Sequence, residues 1–240
     1  MTKTEKETIY TLLSTSESYM RGFSDSSEKI PEFTDDEVQK EITSPTTRMT
    51  LEILQGKVAS CTRCALCRTR KNTVFGEGVE KPTVLVIGEG PGANEDEQGR
   101  PFVGEAGQLL DKMLIAINLS RTTNCYIANV VKCRPPQNRD PLPEESSACK
   151  SFLEAQIHLL KPTMILCVGR IAAHSLFNCN DSLTSMRGKI FDFNGIPTMI
   201  TYHPSALLRD ANLKRPAWED LKLFRRTLDS ILEDNLKLTT

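Results

Sequence analysis

The sequence predicts an α/β protein built on a parallel sheet covered by helices on both faces. Three observations carry that expectation. Short aliphatic runs alternate with helix-length amphipathic segments from about residue 80 onward, which is the pattern of β-α-β units. The run TVLVIG, Thr83–Gly88, has four aliphatic residues and Pro82 just outside it. It opens directly into a glycine-rich turn, with Gly88, Gly90 and Gly92 spaced two apart. Glycines serve where the backbone takes a positive φ or lies close against a ligand. A strand, such a turn and then the amphipathic segment Glu105–Asn118 put a pocket at the carboxyl edge of the sheet.

Taken in order, the chain begins with a stretch of different character. Residues 1–24 offer a weak helical pattern around Ile9, Leu12, Leu13 and Met20, and Ser24–Pro45 is polar, acidic and carries two prolines. Residues 1–45 are therefore expected to be a poorly ordered or partly helical acidic extension. The folded domain is expected to span 46–240. Met49, Leu51, Ile53, Leu54 and Val58 support a helix that delivers Cys61. After the first strand and helix, Asn124–Val131 reads as a second strand, followed by the Pro-rich loop CRPPQNRDPLP and a helix over Pro143–Leu160. Thr163–Gly169 is a third buried strand with a helix starting near Arg170. Lys189–Phe193 and Ile196–Tyr202 flank Asn194-Gly195, a strong hairpin signal. Pro216–Leu232 closes the chain as an amphipathic helix.

The 240 residues are 39 % hydrophobic and 25 % charged, ordinary for a globular protein. The formal net charge of −1 hides an uneven distribution. Residues 1–50 carry six Lys/Arg against ten Asp/Glu, and the remainder 24 against 21. That mildly basic remainder holds every motif, which permits a nucleic-acid partner. No run approaches the roughly 20 apolar residues of a membrane span, and the N-terminus lacks an apolar signal core. A cytoplasmic location is the resulting expectation.

Eight cysteines in a reducing compartment argue for metal ligation by a subset rather than a disulfide framework. Cys61, Cys64 and Cys67 form C-x2-C-x2-C, but Lys71 stands where a ferredoxin run would carry its fourth cysteine. Cys133 and Cys149 flank the Pro-rich loop. Together with Cys61 and Cys64 they make a four-thiolate candidate that joins the N-terminal segment to that loop. Four thiolates suit zinc or an iron–sulfur cluster equally, and the spacing alone leaves four unrelated cysteines as the alternative. Cys125, Cys167 and Cys179 sit where cysteine is usually a small apolar residue.

Of three histidines, His158 and His174 lie in expected helices, whereas His203 follows an apolar run and precedes Pro204-Ser205. A strand-end loop position of that kind favours a site role. Asn129, late in the second strand, offers both a donor and an acceptor to the edge of a nucleobase. The segment SALLRDANLKRP mixes Leu207 and Leu208 with Arg209, Lys214 and Arg215. Cations around an apolar wedge suit a loop that distorts DNA.

CTRCALC, GEGPGANEDEQGRPFVGEAGQLL, ANVVKCRPPQNRDP with Cys149 sixteen residues beyond Cys133, and TYHPSALLR occur in this order. Together they resemble the motifs of the iron–sulfur, family 4 uracil-DNA glycosylases, over about Leu51–Leu232. The resemblance implies a three-layer α/β/α sandwich with a central, mostly parallel four-stranded sheet. It implies a monofunctional enzyme that flips deoxyuridine out of DNA and hydrolyses its N-glycosidic bond. It also implies a [4Fe–4S] cluster on Cys61, Cys64, Cys133 and Cys149, with Cys67 a non-ligand. Carried across, Gly90 borders the uracil, Phe102 stacks on it, Asn129 reads its Watson–Crick edge and Asn138 supports the site. His203 stabilises the departing base, and Glu89 and Glu95 are the acidic candidates for water activation. Leu207 fills the vacated stack, with Ser205 and Arg209 on phosphates. Other branches carry Asp or Asn where this chain has Gly90, which leaves the water-activating group open. No lysine in these motifs suggests a lyase step, and the expected state is a monomer acting on uracil-containing DNA.

Two rival readings are weaker. A dinucleotide fingerprint beginning at Gly88 fails at its third glycine, where Ala93 stands. A non-catalytic DNA-binding module with a structural metal clamp would leave Phe102, Asn129 and His203 without a joint purpose.

Overall fold

The computed structural model describes residues 4–5, 8–11 and 49–239. The chain divides into two units, Met1–Met49 and Thr50–Thr240. In the first, residues 4–5 and 8–11 are helical, and the Thr8 hydroxyl donates to the Thr4 carbonyl at 2.8 Å. The rest of the expected acidic extension, including the Ser24–Pro45 linker, lies outside the described residues.

The second unit is an α/β fold with a six-stranded, mostly parallel sheet flanked by helices. Helix α1 (Leu51–Ala59) starts at Thr50, whose side chain accepts from the Ile53 amide. Strands β1 (Glu77–Gly78) and β2 (Val84–Gly88) follow, then α2 (Ala93–Gln98) and α3 (Glu105–Ile115). Strand β3 (Cys125–Asn129) leads through the Pro-rich loop to α4 (Pro143–Leu160). Next come β4 (Met164–Val168), α5 (Arg170–Phe177), α6 (Leu183–Met186), β5 (Ile190–Phe193) and β6 (Ile196–Thr201). The chain closes with α7 (Pro204–Arg209) and α8 (Lys214–Thr239).

The strand order is β1-β3-β2-β4-β6-β5. The inner four run parallel, and β1 and β5 add antiparallel edges. The expectation of four strands is therefore corrected to six. Strand β1 is only two residues long and pairs with Tyr126 and Ile127, so it exists through its partner rather than through any pattern of its own. Strand β5 pairs with β6 through the hairpin at Asn194-Gly195, where φ is 51° and 83°. Tight hairpin turns demand such positive values.

Successive side chains of β2 enter different cores, as strand geometry requires. Leu85 and Ile87 pack with α1, α4 and α5 residues, and Val84 and Val86 with α3 and α8 residues. From β2 the chain moves outward to β3 and returns to the opposite side as β4. That reversal opens a crevice above the carboxyl ends of β2 and its neighbours, the usual ligand position in such sheets.

The last residue of β6 is fixed by a buried ion pair. Asp220 of α8, 3 % exposed, accepts from the Thr201 hydroxyl at 2.7 Å. It also accepts from Arg187 Nε and Nη2 at 3.0 and 2.6 Å. Breaking a buried pair by removing one partner leaves an uncompensated charge and costs roughly 3–5 kcal/mol. Arg187→Ala is expected to lower stability by about that amount, read from the denaturant midpoint, although Arg187 lies outside the crevice.

Candidate active site

Parallel pairing sets Gly88 opposite Asn129 at the carboxyl ends of β2 and β3. The two segments stay side by side beyond the sheet, because the Val130 and Val131 amides donate to the Gly88 and Glu89 carbonyls at 2.9 and 3.1 Å. The Asn129 side chain therefore rises into the crevice from a fixed base. Asn129 is 1 % exposed. Its Oδ1 is, among the described residues, the one buried side-chain polar atom with no hydrogen-bond partner. An unsatisfied buried acceptor costs about 1–3 kcal/mol, so it points to a donor supplied from outside.

Gly88 has to be glycine here. A Cβ would stand 2.5 Å from Asn129 Oδ1 and 2.5 Å from Phe102 Cζ. Phe102 itself has left-handed backbone (φ 52°), rare for a bulky residue. Its ring is buried and lies 5.6 Å from the His203 ring, tilted by 33°. Arg121 holds this turn by donating to the Pro101 and Phe102 carbonyls, each at 2.9 Å.

Glu95 and Glu89 differ sharply in setting. The Glu95 carboxylate accepts from the Gly92 amide at 3.1 Å and from the Val103 and Gly104 amides at 2.8 and 2.9 Å. It ties the glycine-rich turn to the Phe102 turn. Burial raises the Glu89 carboxyl to about 7; Asp140 adds to the rise, and Arg170 and Arg209 oppose it. Asp140 is itself ion-paired to Arg170 at 2.6 Å.

His203 is the N-cap of α7 rather than a loop residue. Its Nδ1 accepts from the Ser205 amide at 3.2 Å and meets the Ser205 hydroxyl at 2.8 Å. A backbone amide can only donate, so Nδ1 is the acceptor and the ring proton belongs on Nε2. Burial first, then Arg209, lowers the imidazole to about 4, with Glu95 opposing. The ring is thus neutral near pH 7.

Glu89, Gly90, Glu95, Phe102, Asn129, Asn138, His203, Ser205 and Arg209 all line one cavity of about 360 Å³. The sequence therefore marked most of the lining. Leu207 does not line the cavity: it is 3 % exposed and packs in the core with Phe102, whereas Leu208 is 47 % exposed. Asn138 accepts from Arg134 Nε at 2.8 Å and so braces the Pro-rich loop. Missed by the sequence reading were Arg139, Asp140 and, behind Asp140, Arg170. The loop motif CRPPQNRDP contained the first two, but no spacing rule marks them.

A second cavity gathers Cys61, Cys64, Cys67, Cys133 and Cys149 with Arg63, Arg70 and Lys132. Burial raises the Cys64, Cys133 and Cys149 thiols, Cys133 to about 11. Arg70 Nη1 donates to Cys133 Sγ at 3.2 Å. Thiols from α1's exit, β3's exit and α4, beside Arg70 and Lys132, fit an anionic multi-thiolate centre.

A profile of the Uracil DNA glycosylase superfamily matches residues 75–222. The chain is 44 % identical over 176 residues to the Type-4 uracil-DNA glycosylase of Thermotoga maritima, covering 72 % of this chain and 91 % of that protein. The corresponding values for the Archaeoglobus fulgidus protein of the same name are 39 % over 180 residues, 72 % and 90 %. The chain belongs to the type-4 uracil-DNA glycosylases. A Type-5 uracil-DNA glycosylase of Pyrobaculum aerophilum is more distant, at 31 % over 140 residues, 52 % of this chain and 62 % of that one. Among the described residues of this type-4 chain, no helix is long and apolar enough to cross a membrane.

The two glycines Gly88 and Gly56 should respond in opposite directions to alanine. Gly88→Ala forces Asn129 and Phe102 aside and is expected to cost about 1–3 kcal/mol. Gly56, inside α1 with nothing within 4 Å of a Cβ, should gain up to about 1 kcal/mol. Thermal unfolding of the two variants checks both signs.

Proposed function

We propose that the cavity receives a deoxyuridine flipped out of DNA and hydrolyses its N-glycosidic bond, releasing uracil and leaving an abasic site. The observation that carries this reading is the unpartnered Oδ1 of Asn129. Uracil offers an N3–H to that acceptor and an O4 to the amide Nδ2. Cytosine presents an unprotonated N3 and an amino group instead, and each mismatch in a buried pocket costs on the order of 1–3 kcal/mol. Phe102 supplies the stacking wall, and the backbone around Gly90 borders the ring.

As the bond stretches, negative charge builds on the uracil O2 and positive charge on the sugar. The neutral His203 ring presents Nε2–H to O2 without reorganising, the kind of preorganised donor that lowers a barrier most. Glu89 is the better of the two acidic candidates for activating water. Its carboxylate is set by burial and distant charges, while that of Glu95 is saturated by three backbone amides. Glu95 then acts as a brace. No lysine lines the cavity, which supports a monofunctional hydrolase. Leu208 is the apolar side chain available to occupy the vacated stack, and Arg209 and the helix start at Ser205 suit phosphates. A monomer carries every one of these groups.

Two measurements on a uracil-containing oligonucleotide test the assignment. His203→Ala should slow single-turnover excision by about 10²–10³ while abasic-site DNA binding persists; near-normal excision would falsify the donor role. The base must be deprotonated to act, so the wild-type rate should climb with pH through about 7. It should show no loss from His203 until pH nears 4. Glu89→Gln should flatten that climb.

The second cavity supports a [4Fe–4S] cluster on Cys61, Cys64, Cys133 and Cys149. Bound there, a cluster serves as a rigid bracket between segments far apart in sequence. The purified protein should be brown with about four irons per chain, the content of a cubane held by four thiolates. Cys133→Ser or Cys149→Ser should lose the colour and Cys67→Ser should keep it; stoichiometric zinc in an anaerobic, colourless preparation would overturn the cluster.

A further inference from the structure

Lys132 is 1 % exposed, and its place in the fold is unusual for a lysine. It lies between Val131, which flanks the glycine-rich turn, and Cys133. Its side chain folds back so that Nζ donates to the Asn129 carbonyl at 2.7 Å and to Gln156 Oε1 at 2.5 Å. Gln156 is also fully buried and passes the connection on, its Nε2 donating to the Phe75 carbonyl at 2.9 Å. Gln156 stands seven residues after Cys149 on α4, hence two turns along the same face. The Lys132 carbonyl accepts from the Val74 amide at 2.7 Å. Lys132 also lines the cysteine cavity.

We infer that Lys132 is a positioning residue that couples the cysteine centre to the base-reading end of β3. The inference rests on the functional reading above and adds a connection that reading does not need. Three segments meet around Lys132: its Nζ holds the strand end that carries Asn129 and the helix that carries Cys149, while its carbonyl and Gln156 hold the Val74–Phe75 chain that follows the Cys61–Cys67 segment. A carbonyl held from behind fixes the peptide plane of Asn129, and with it the direction of the side chain in the crevice. The cysteine centre and the uracil pocket thus share a rigid element instead of being independent.

The test is a double-mutant cycle between Lys132 and Asn129 in the iron-loaded protein. Lys132→Met should slow single-turnover uracil excision about tenfold, the scale of one hydrogen bond to a charged group. On an Asn129→Ala background the same change should slow it less than about twofold, because the side chain it orients is gone. Two readouts are independent of excision. Free uracil, titrated calorimetrically, should bind the Lys132→Met protein about tenfold more weakly, and iron should leave that protein several-fold faster on exposure to a chelator. If Lys132→Met does not fold, as circular dichroism would reveal, Gln156→Met replaces it. That variant keeps the ammonium and removes its second acceptor, and the same non-additive pattern is expected. Equal slowing in both backgrounds, or unchanged uracil affinity with unchanged iron release, would overturn the inference. A wild-type protein that excises no uracil would instead overturn the functional reading itself.

Discussion

The site depends on one rung of the sheet, the pairing of Gly88 with Asn129 at the ends of β2 and β3. Register in a sheet is all or nothing for side-chain direction, because a slip of one residue turns every side chain to the other face. The fully buried runs VLVIG and CYIAN enforce it from below, since both faces of each strand have a core to fill. Above the rung, the missing Cβ of Gly88 leaves the space that Asn129 Oδ1 and the Phe102 ring occupy. His203 arrives from the other side of the switch point, where Gly169 (φ 98°) lets β4 give way to α5 and where a Cβ on Gly169 would stand 3.0 Å from His203 Cβ. The placement of Asn129, Phe102 and His203 is therefore a consequence of strand pairing rather than of loop choice.

Rigid strands would be of little use with slack loops, and the loops are held by charge. Glu95 gathers three amides from two turns, Arg121 holds the carbonyls of Pro101 and Phe102, and Arg139 grips Glu145 through two bonds of 2.8 Å. Charge-assisted bonds of this sort are roughly twice as strong as neutral ones. They let left-handed residues persist in two separate segments beside the cavity, Phe102 in one turn and Gln137 and Asn138 in the Pro-rich loop. Backbone strain at such places is tolerated where surrounding contacts over-determine it.

Much of this was legible in the sequence, for a physical reason in each case. The Asn194-Gly195 hairpin and the Pro143–Leu160 helix are fixed by neighbours in the chain, so local chemistry reveals them. The edge strand Glu77–Gly78 was invisible because its distant partner, at Tyr126 and Ile127, creates it. The helix Pro204–Arg209 is barely more than one turn and carries no periodicity to read. The opposite burial of Leu207 and Leu208 was equally hidden, since only helical phase distinguishes two adjacent leucines. Glu95 shows a different limit. An acidic residue in a glycine-rich motif reads as chemistry, yet whether its carboxylate faces substrate or backbone amides is settled by folding. Asp140 and Arg170 are thirty residues apart, and their pairing at 2.6 Å leaves no trace in either local sequence.

The cavity also shows how one environment prepares two groups for opposite duties. Burial disfavours whichever form carries charge. For His203 that form is the imidazolium, so the ring stays neutral, and the Ser205 amide at Nδ1 leaves the proton on Nε2. For Glu89 it is the carboxylate, whose proton affinity rises to about 7, into the range where a carboxyl is strong enough as a base and still largely ionised in mildly alkaline conditions. An exposed Glu89 would be ionised but a weak base, and an exposed His203 would exchange protons with solvent near neutrality. The divergence of the pair is widened by a neighbour of each, Asp140 for Glu89 and Arg209 for His203. It follows first from burial beside Phe102, Pro91, Pro135 and the sheet end. Arg170, behind Asp140, and Arg209, on the cavity lining, limit how far Glu89 can rise, and Arg209 at the same time helps keep His203 neutral. One cation thus bears on both groups, holding Glu89 within reach of ionisation while opposing the imidazolium.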